Sequence, residues 1–410
     1  MPITVATVAF GLVDDYNNFK KATNGNGDAH QKSTYAIENE VTAMKKPTEM
    51  YPTYEEVRKA IPPQCFEKNL GLSLFYLVWD YVVIAALYLA VPYVEKYAGW
   101  PGFFLSYVIG MFGFALFVVG HDCGHTTFSQ YQWVNDVCGH LAHAPLLVPG
   151  KKVIDNIINI PDTWRKIVGM RGLPKNVTTN WISFVGISVS SQLPDCFCGK
   201  DTQCSVSCWH HSGQPIINFK GLPDGSHFYP FSSLFTTRRE RIQCAISSLC
   251  CLASAYIAFV LCDYDFVRWL KYYEVPLMFF GLWLVMVTYL QHSHEETKVY
   301  EEGHWTFVKG QSETIDRKYG FGIDKLTHHI TDCHVAHHFF FTKIPHYHLP
   351  AATEAVKKVL SRYPGCYKSV STYDHLLEFL RLNVKLDYMV GKGTGLLKYR
   401  TNVGKTVKQN

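Results

Sequence analysis

The chain has 410 residues, of which 48% are hydrophobic and 15% aromatic, and its formal net charge is +5. This length allows one or two domains, and a mild positive charge without a basic stripe argues against nucleic acid as a partner. The 13 cysteines follow an N-terminus that lacks the basic start of a secretory signal. We therefore expect reduced thiols that face the cytosol rather than a framework of disulfides.

The N-terminal part contains a polar tail and then two apolar stretches. Residues 1–50 predict a mobile tail, and Thr53 predicts the N-cap of a short helix. Residues 70–93 carry one charge, Asp80, and are long enough to cross about 30 Å of hydrocarbon. Residues 103–119 predict the return span of a helical hairpin. Because a carboxylate is costly at that depth, we expect Asp80 to pair with another helix rather than to catalyse.

A histidine pair follows this hairpin directly. His121 and His125 lie at i and i+4, which places both rings on one face of a helix. We assign residues 51–149 to the pre-membrane helix, the first hairpin and this pair. From residue 150 to 213 the sequence shows no clean period, and its cysteines with His210 and His211 match no zinc spacing. This segment is interpreted as an atypical insert.

A second pair of apolar stretches follows the insert. Residues 243–262 and 275–290 predict the third and fourth spans, so that the chain returns to its starting side of the membrane. His292 and His294 come directly after the fourth span. A second group of imidazoles is therefore expected at the same membrane face as the first pair.

The densest histidine cluster lies further along the chain. Residues 301–324 read as a polar linker, and residues 325–341 predict a helix that carries His334, His337 and His338. These positions are i, i+3 and i+4, so the three imidazoles can converge on one point.

The remainder of the chain is soluble in character. We assign residues 214–345 to the second hairpin with this cluster, and residues 346–410 to a basic C-terminal region. Residues 351–410 contain 11 Lys and Arg against 4 Asp and Glu. By the positive-inside rule this excess predicts a cytosolic C-terminus, and four spans then place the N-terminus in the cytosol too.

Together these groups predict a metal centre at the cytosolic ends of the spans. Seven imidazoles are too many for one tetrahedral zinc and suit a two-metal site, for which iron accepts imidazole ligands. Iron beside a bilayer suggests O2 activation and attack on unactivated C–H bonds of lipid chains. Asp122 and Asp332 flank the histidines and are candidates to accept the outer N–H of a coordinating ring. The candidate ligands are His121, His125, His292, His294, His334, His337 and His338.

The chain resembles the membrane-bound fatty-acid desaturases, especially the Δ12/ω-3 type. The resemblance covers residues 50–149 and 221–390. Its most specific stretches are His121-Asp-Cys-Gly-His125, Thr288-Tyr-Leu-Gln-His-Ser-His294, Thr314-Ile-Asp-Arg-Lys-Tyr-Gly320 and Ile330-Thr-Asp-Cys-His-Val-Ala-His-His338.

The resemblance implies an all-α membrane protein with four transmembrane helices in two hairpins and a cytosolic helical cap that holds a di-iron site. It implies two non-haem Fe ions, O2 as co-substrate, and an acyl-lipid or acyl-CoA substrate in the endoplasmic reticulum membrane. Electrons would come from cytochrome b5 and its reductase, as separate proteins, because no His-Pro-Gly-Gly motif occurs. The first box of the family maps onto His121 and His125, and the third onto the cluster that begins at His334. One further ligand would be His292 or His294, which the sequence does not separate.

This sequence departs from the family at one point, and alternatives follow from it. A second box, His-x-x-His-His, is expected shortly after Pro149, where residues 150–213 stand instead, and the nearest remnant is Ser207-Cys-Trp-His210-His211. A catalytically impaired desaturase-like protein is therefore one alternative, and an acyl-chain hydroxylase of the same fold is another. A transporter with a histidine relay would need ionisable residues inside the spans, and few occur beyond Asp80 and Asp263.

Overall fold

Most of the part of the chain that the structure describes is helical. This computed structural model describes residues 51–99, 102–149, 228–232, 235–301, 303–391 and 393–401. The predicted tail, residues 1–50, and the predicted insert, residues 150–213, lie outside the described residues. The helices, in chain order, are α1 (Tyr54–Ala60), α2 (Leu70–Ala98), α3 (Gly102–Gly124), α4 (Gln132–His143), α5 (Arg238–Leu261), α6 (Phe266–Trp269), α7 (Val275–His292), α8 (Phe307–Gln311), α9 (Ile323–Leu326), α10 (His334–Phe340), α11 (Leu349–Leu360) and α12 (His375–Lys385).

Two small sheets accompany the helices. The strands are β1 (Lys298–Tyr300), β2 (Asp316–Lys318), β3 (Ser369–Ser371), β4 (Leu386–Val390) and β5 (Leu396–Thr401). One sheet is antiparallel in the order β1-β5-β4, and the other pairs β2 with β3 in parallel. The expectation of an all-α chain is corrected to this extent. Strands β4 and β5 pair as neighbours in the sequence, whereas β1 with β5 and β2 with β3 pair over long sequence distances.

Four helical segments of the described residues are long and apolar enough to cross a membrane, as predicted. Each is longer than its predicted apolar stretch, because the polar residues at its ends continue the helix. Before the first span, Thr53 caps α1 as expected. Its side chain accepts a hydrogen bond from the backbone N–H of Glu56 at 3.1 Å. The candidate spans are Leu70–Ala98, Phe103–Gly124, Arg238–Leu261 and Phe266–His292.

Helices α3 and α7 pack against each other through a glycine. A Cβ atom at Gly110 of α3 would lie 2.5 Å from Cβ of Phe279 and 2.6 Å from the backbone N of Phe280 in α7. Only glycine permits so close an approach, and such contacts are typical of helices that associate within a membrane. The contact keeps α3 and α7 side by side, and each of these helices carries histidine near its C-terminus.

The segment that was predicted as a polar linker, residues 301–324, is folded and contains buried residues. It carries α8, β2 and α9, and the side chains of Asp316, Arg317 and Tyr319 are 0–1% exposed. Residues 325–341 do not form one helix either. His328 and His329 adopt positive φ angles of 57° and 58°, and α10 begins only at His334. Non-glycine residues rarely adopt this conformation, which interrupts the expected helix.

That interruption turns His328 toward the first span. Its Nε2 atom lies 2.7 Å from Oδ2 of Asp80, and both side chains are buried. The sequence predicts that Asp80 pairs with another helix. In the structure its partner is the imidazole of His328, which lies in a turn. Asp263 lies outside the four candidate spans and pairs with Arg268.

We predict that Asp80→Ala destabilises the protein. The substitution removes the acceptor of a buried N–H, which costs about 1–3 kcal/mol when no new partner replaces it. The measurement is the thermal unfolding midpoint of the purified protein in detergent. Val82→Ala, on the same helix at a position that is 56% exposed, is the control that should leave the midpoint nearly unchanged. Equal midpoints for the two variants would contradict the importance of the Asp80–His328 pair.

Candidate metal centre

Six imidazoles come together at the C-terminal ends of α3 and α7. They form two groups of three, and within each group one ligand atom of every residue lies within 4.8 Å of the others. Each group combines residues of a candidate span with residues of α10. The first group is His121, His125 and His337, and the second is His292, His334 and His338.

The short helix α10 supplies both groups. On a helix with about 100° per residue, i+4 lies roughly 40° from i on one side and i+3 roughly 60° on the other. His334 and His338 therefore face His292, whereas His337 faces His121 and His125. The spacing alone suggests that the three side chains converge on one point, but in the structure they do not. They divide between two neighbouring points.

Hydrogen bonds fix the orientation of two rings in the second group. Nδ1 of His334 lies 3.0 Å from the carbonyl oxygen of Ile330, and Nδ1 of His338 lies 3.1 Å from Oε1 of Gln311. With the amide oxygen of Gln311 in this place, both partners are acceptors, so both Nδ1 atoms carry the proton. Each Nε2 atom then presents a lone pair.

Those lone pairs face one another. Nε2 of His334 lies 3.1 Å from Nε2 of His338 and 3.2 Å from Nε2 of His292. Two acceptors at this distance repel unless a cation lies between them. Nitrogens that are each about 2.1 Å from one ion are separated by roughly 3.0–3.4 Å at octahedral or tetrahedral angles. The second group therefore fits a metal ion.

The first group has comparable spacing. Nε2 of His125 lies 3.3 Å from Nε2 of His121, and the ring centre of His121 lies 5.1 Å from that of His337. The side chains are largely removed from solvent, since His125 is 4% exposed and His337 is 7% exposed. The donor set again consists of imidazole alone, which suits iron, zinc, copper or nickel.

Burial keeps the α10 rings in the form that binds metal. Loss of hydration lowers the pKa of His337 to about 4, and it holds the pKa values of His334 and His338 well below the usual range. The neighbouring imidazoles lower these pKa values further. At neutral pH the rings are uncharged, so a metal ion does not have to displace a proton from them.

Side chains of strand β2 are hydrogen-bonded to both α10 and α7. Oδ1 of Asp316 accepts the backbone N–H of Val335 at 2.7 Å, and its Oδ2 accepts the hydroxyl of Tyr367 at 2.8 Å. Burial raises the pKa of Asp316 to about 7 although these hydrogen bonds act against that rise. Next to it, Nε of Arg317 donates to the carbonyl oxygen of Leu290 in α7 at 2.6 Å. Strand β2 therefore connects the first turn of α10 to the last turn of α7.

Three candidates from the sequence belong to neither of the two groups, namely His294, Asp122 and Asp332. His294 belongs to neither group, and its Nδ1 accepts the backbone N–H of Glu296 at 3.2 Å. The carboxylate of Asp122 accepts both the backbone N–H and Nδ1–H of His346, at 2.9 and 2.8 Å. The remnant His210–His211 lies outside the described residues.

Asp332, the other acidic candidate, also pairs with a histidine outside the two groups. Its Oδ1 lies 3.1 Å from Nδ1 of His329. Together with Cys333 these two residues form a third cluster of potential ligands, in which His329 and Asp332 are partly exposed. Because the side chains of His329 and Asp332 already contact each other, we do not assign a metal to this cluster.

Sequence reasoning did not find Gln311 and Asp316 as supports of the site. Both lie in residues 301–324, which the sequence predicts to be a polar linker. No hydrophobic periodicity in this segment indicates burial. The available signal was the stretch from Thr314 to Gly320, which the resemblance had already singled out.

Comparison with known proteins identifies what the chain is similar to. The sequence model of the family described as "Fatty acid desaturase" matches residues 98–153 and 209–371. A Delta(12) fatty acid desaturase of Caenorhabditis elegans is 46% identical over 356 residues, which cover 86% of this chain and 92% of that protein. An omega-3 fatty acid desaturase of the same organism is 43% identical over 375 residues, 89% of this chain and 88% of that protein.

A plant protein shows a more distant similarity. It is the acyl-lipid omega-3 desaturase (cytochrome b5), endoplasmic reticulum, of Arabidopsis thaliana. It is 31% identical over 370 residues, which cover 85% of this chain and 87% of that protein.

We predict that Gln311→Leu weakens metal binding at the second group. The substitution removes the acceptor that fixes the proton on Nδ1 of His338, and loss of such a partner lowers metal affinity about 10–100-fold. The measurement is a Co²⁺ titration of the purified protein, followed by absorption. Gln132→Leu makes the same change at an exposed position of α4 and should leave the titration unchanged. An unaltered curve for Gln311→Leu would contradict the proposed role.

Proposed function

The chain belongs to the fatty acid desaturase family, and we propose that it inserts a cis double bond into an acyl chain as a Δ12 (ω-6) or ω-3 desaturase. The observation that carries the chemistry is the pair of three-imidazole groups, each buried or half-buried, at the ends of two adjoining spans. We propose that these groups bind two iron ions. Iron bound there would supply the activation of O2 that hydrogen removal from an unactivated methylene requires.

The protein itself contributes orientation and the exclusion of water. The neutral rings of His334 and His338, which are hydrogen-bonded through Nδ1, direct their Nε2 atoms toward the proposed metal position. The hydrogen bonds of Asp316 and Arg317 keep α10 next to the end of α7. Because the rings are largely buried, the positions that they would provide for metal are shielded from bulk water.

A cavity along α3, the helix that carries His121, supports access by an acyl chain. Its volume is about 230 Å³, and it lies between α3, α4 and α5. Gly120 and Gly124 line it from the helix that carries His121, and Ser247 lines it from the third candidate span. We propose that the acyl chain of a lipid or of acyl-CoA approaches the site from this side.

The electron donor and the location are inferred from the relatives. The plant relative is named as cytochrome b5-dependent and as a protein of the endoplasmic reticulum, and we propose the same donor, with its reductase, and the same membrane for this chain. Four candidate spans and the basic C-terminal region support an orientation with both termini in the cytosol.

Two alternatives rest on particular observations. The family model does not match residues 154–208, where the second histidine box is expected. One alternative is therefore an impaired desaturase in which the metal ligands are incomplete. An acyl-chain hydroxylase is the other, because it would use the same imidazoles with a different position of the chain against the oxidant.

Expression in yeast separates these three possibilities. We expect gas chromatography of the fatty acid methyl esters to reveal a new double bond, and the purified protein to hold about two iron ions per chain. A hydroxylated product would replace the proposal by the hydroxylase. Iron-poor protein without a product would establish the impaired form, with the empty vector as control.

We predict that His292→Gln and His294→Gln behave differently. His292 lies within the second group, so its loss should lower bound iron and product at least about tenfold, whereas His294 lies outside both groups and its substitution should leave iron content near the wild-type value. Iron analysis of the two purified variants provides the measurement. The reverse pattern would exchange the roles of the two histidines.

A further inference from the structure

The geometry of the first group depends on how the end of α3 is held relative to α10. His121 lies in the last turn of α3 and His125 directly after it, whereas His337 belongs to α10. The last turn of a helix lacks part of its own backbone hydrogen bonds and is held less firmly than the middle. Contacts from outside α3 are therefore needed to fix its two rings relative to the ring of α10.

The segment that follows α10 supplies two such contacts. The ring of Phe341 packs on that of His125, with centres 4.9 Å apart. Five residues further on, the backbone N–H and the Nδ1–H of His346 both donate to Oδ2 of Asp122, at 2.9 and 2.8 Å. Asp122 directly follows His121 in the sequence. With about 100° per residue, its side chain lies beside the helix face that carries the two ligand rings and not on it.

The contact between His346 and Asp122 is buried and uses one nitrogen of the ring. Asp122 is 3% exposed and His346 is 2% exposed, and a hydrogen bond removed from water in this way is electrostatically stronger than one at the surface. Because a carboxylate only accepts, Nδ1 carries the proton. Nε2 of His346 has no hydrogen-bond partner among the described residues. The polar contact of this ring is therefore made through Nδ1.

Neighbouring rings fix the position of His346 itself. Tyr76 of α2 contacts its imidazole edge-on, with ring centres 4.7 Å apart, and the ring centre of His328 lies 4.8 Å away. His328 is in turn held by Asp80 of α2. The donor that reaches Asp122 is therefore held in place by the first span, and it provides a fixed reference for the end of α3.

We infer that His346 is a positioning residue of the first group: its Nδ1–H holds the last turn of α3 so that the two ligand rings of that turn face His337. This role rests on the proposed binding of metal by the first group. Strand β2 supports the second group in a comparable way, since it connects α10 to α7. Without the hydrogen bond from His346, the turn would have to be ordered when metal binds, and the affinity for metal would fall.

Co²⁺ titrations of the purified full chain test this role. His292→Gln serves as the background, because it removes a ligand of the second group and the remaining titration then reports the first group. His346→Asn and His346→Gln are introduced separately into this background. Counted along the side chain, the amide nitrogen of asparagine corresponds to Nδ1 of histidine and that of glutamine to Nε2. The backbone N–H at position 346 remains in both variants, so their difference measures the side-chain hydrogen bond.

We expect His346→Asn to bind Co²⁺ within about threefold of the background protein and His346→Gln to bind it at least about tenfold more weakly. His348→Gln, in the same short helical turn and in neither group, is the matched control that should leave the titration unchanged. A purely structural role would lower the unfolding midpoints of both His346 variants without this difference in affinity.

Equal titrations of the asparagine and glutamine variants would overturn the role of His346 and leave the proposed metal centre intact. A wild-type chain that binds no Co²⁺ would instead overturn the metal centre, and the role of His346 with it. If His346→Gln does not elute like the wild type, His346→Leu removes the same hydrogen bond without placing an amide in the buried position, and it provides the same comparison with His346→Asn.

Discussion

Lone pairs that face one another are the constraint on which the structure depends. The Nε2 atoms of His334 and His338 lie 3.1 Å apart, while their Nδ1 atoms are held by oxygen acceptors. This arrangement is unfavourable in an empty site and becomes favourable around a cation. The surrounding packing and the two oxygen acceptors position the rings in this way.

That packing comes from two independent contacts. Within the bundle, the glycine contact at Gly110 brings α3 and α7 close together, so that their C-terminal histidines become neighbours. In the cap, Asp316 and Arg317 attach α10 to the end of α7. The left-handed backbone at His328 and His329 costs free energy, and the contact of His328 with Asp80 helps to offset it.

The sequence predicted the four candidate spans and named the six histidines that the structure brings together, because apolar length and i, i+3, i+4 spacing are local properties. It could not separate His292 from His294, because the choice depends on where α7 ends. The helix stops at His292 and Ser293 is extended, a boundary that local patterns do not define to within one or two residues. Gln311 and Asp316 were missed because their burial depends on partners that are distant in sequence.

The division of one short helix between two groups of imidazoles has a mechanical consequence. Helix α10 has seven residues and carries rings toward both groups. Rotation of this rod about its axis would bring His337 nearer to its partners only by moving His334 and His338 away from theirs, or the reverse. The ring positions of the two groups therefore cannot change independently. Any substitution that rotates α10 should alter the ring positions in both groups.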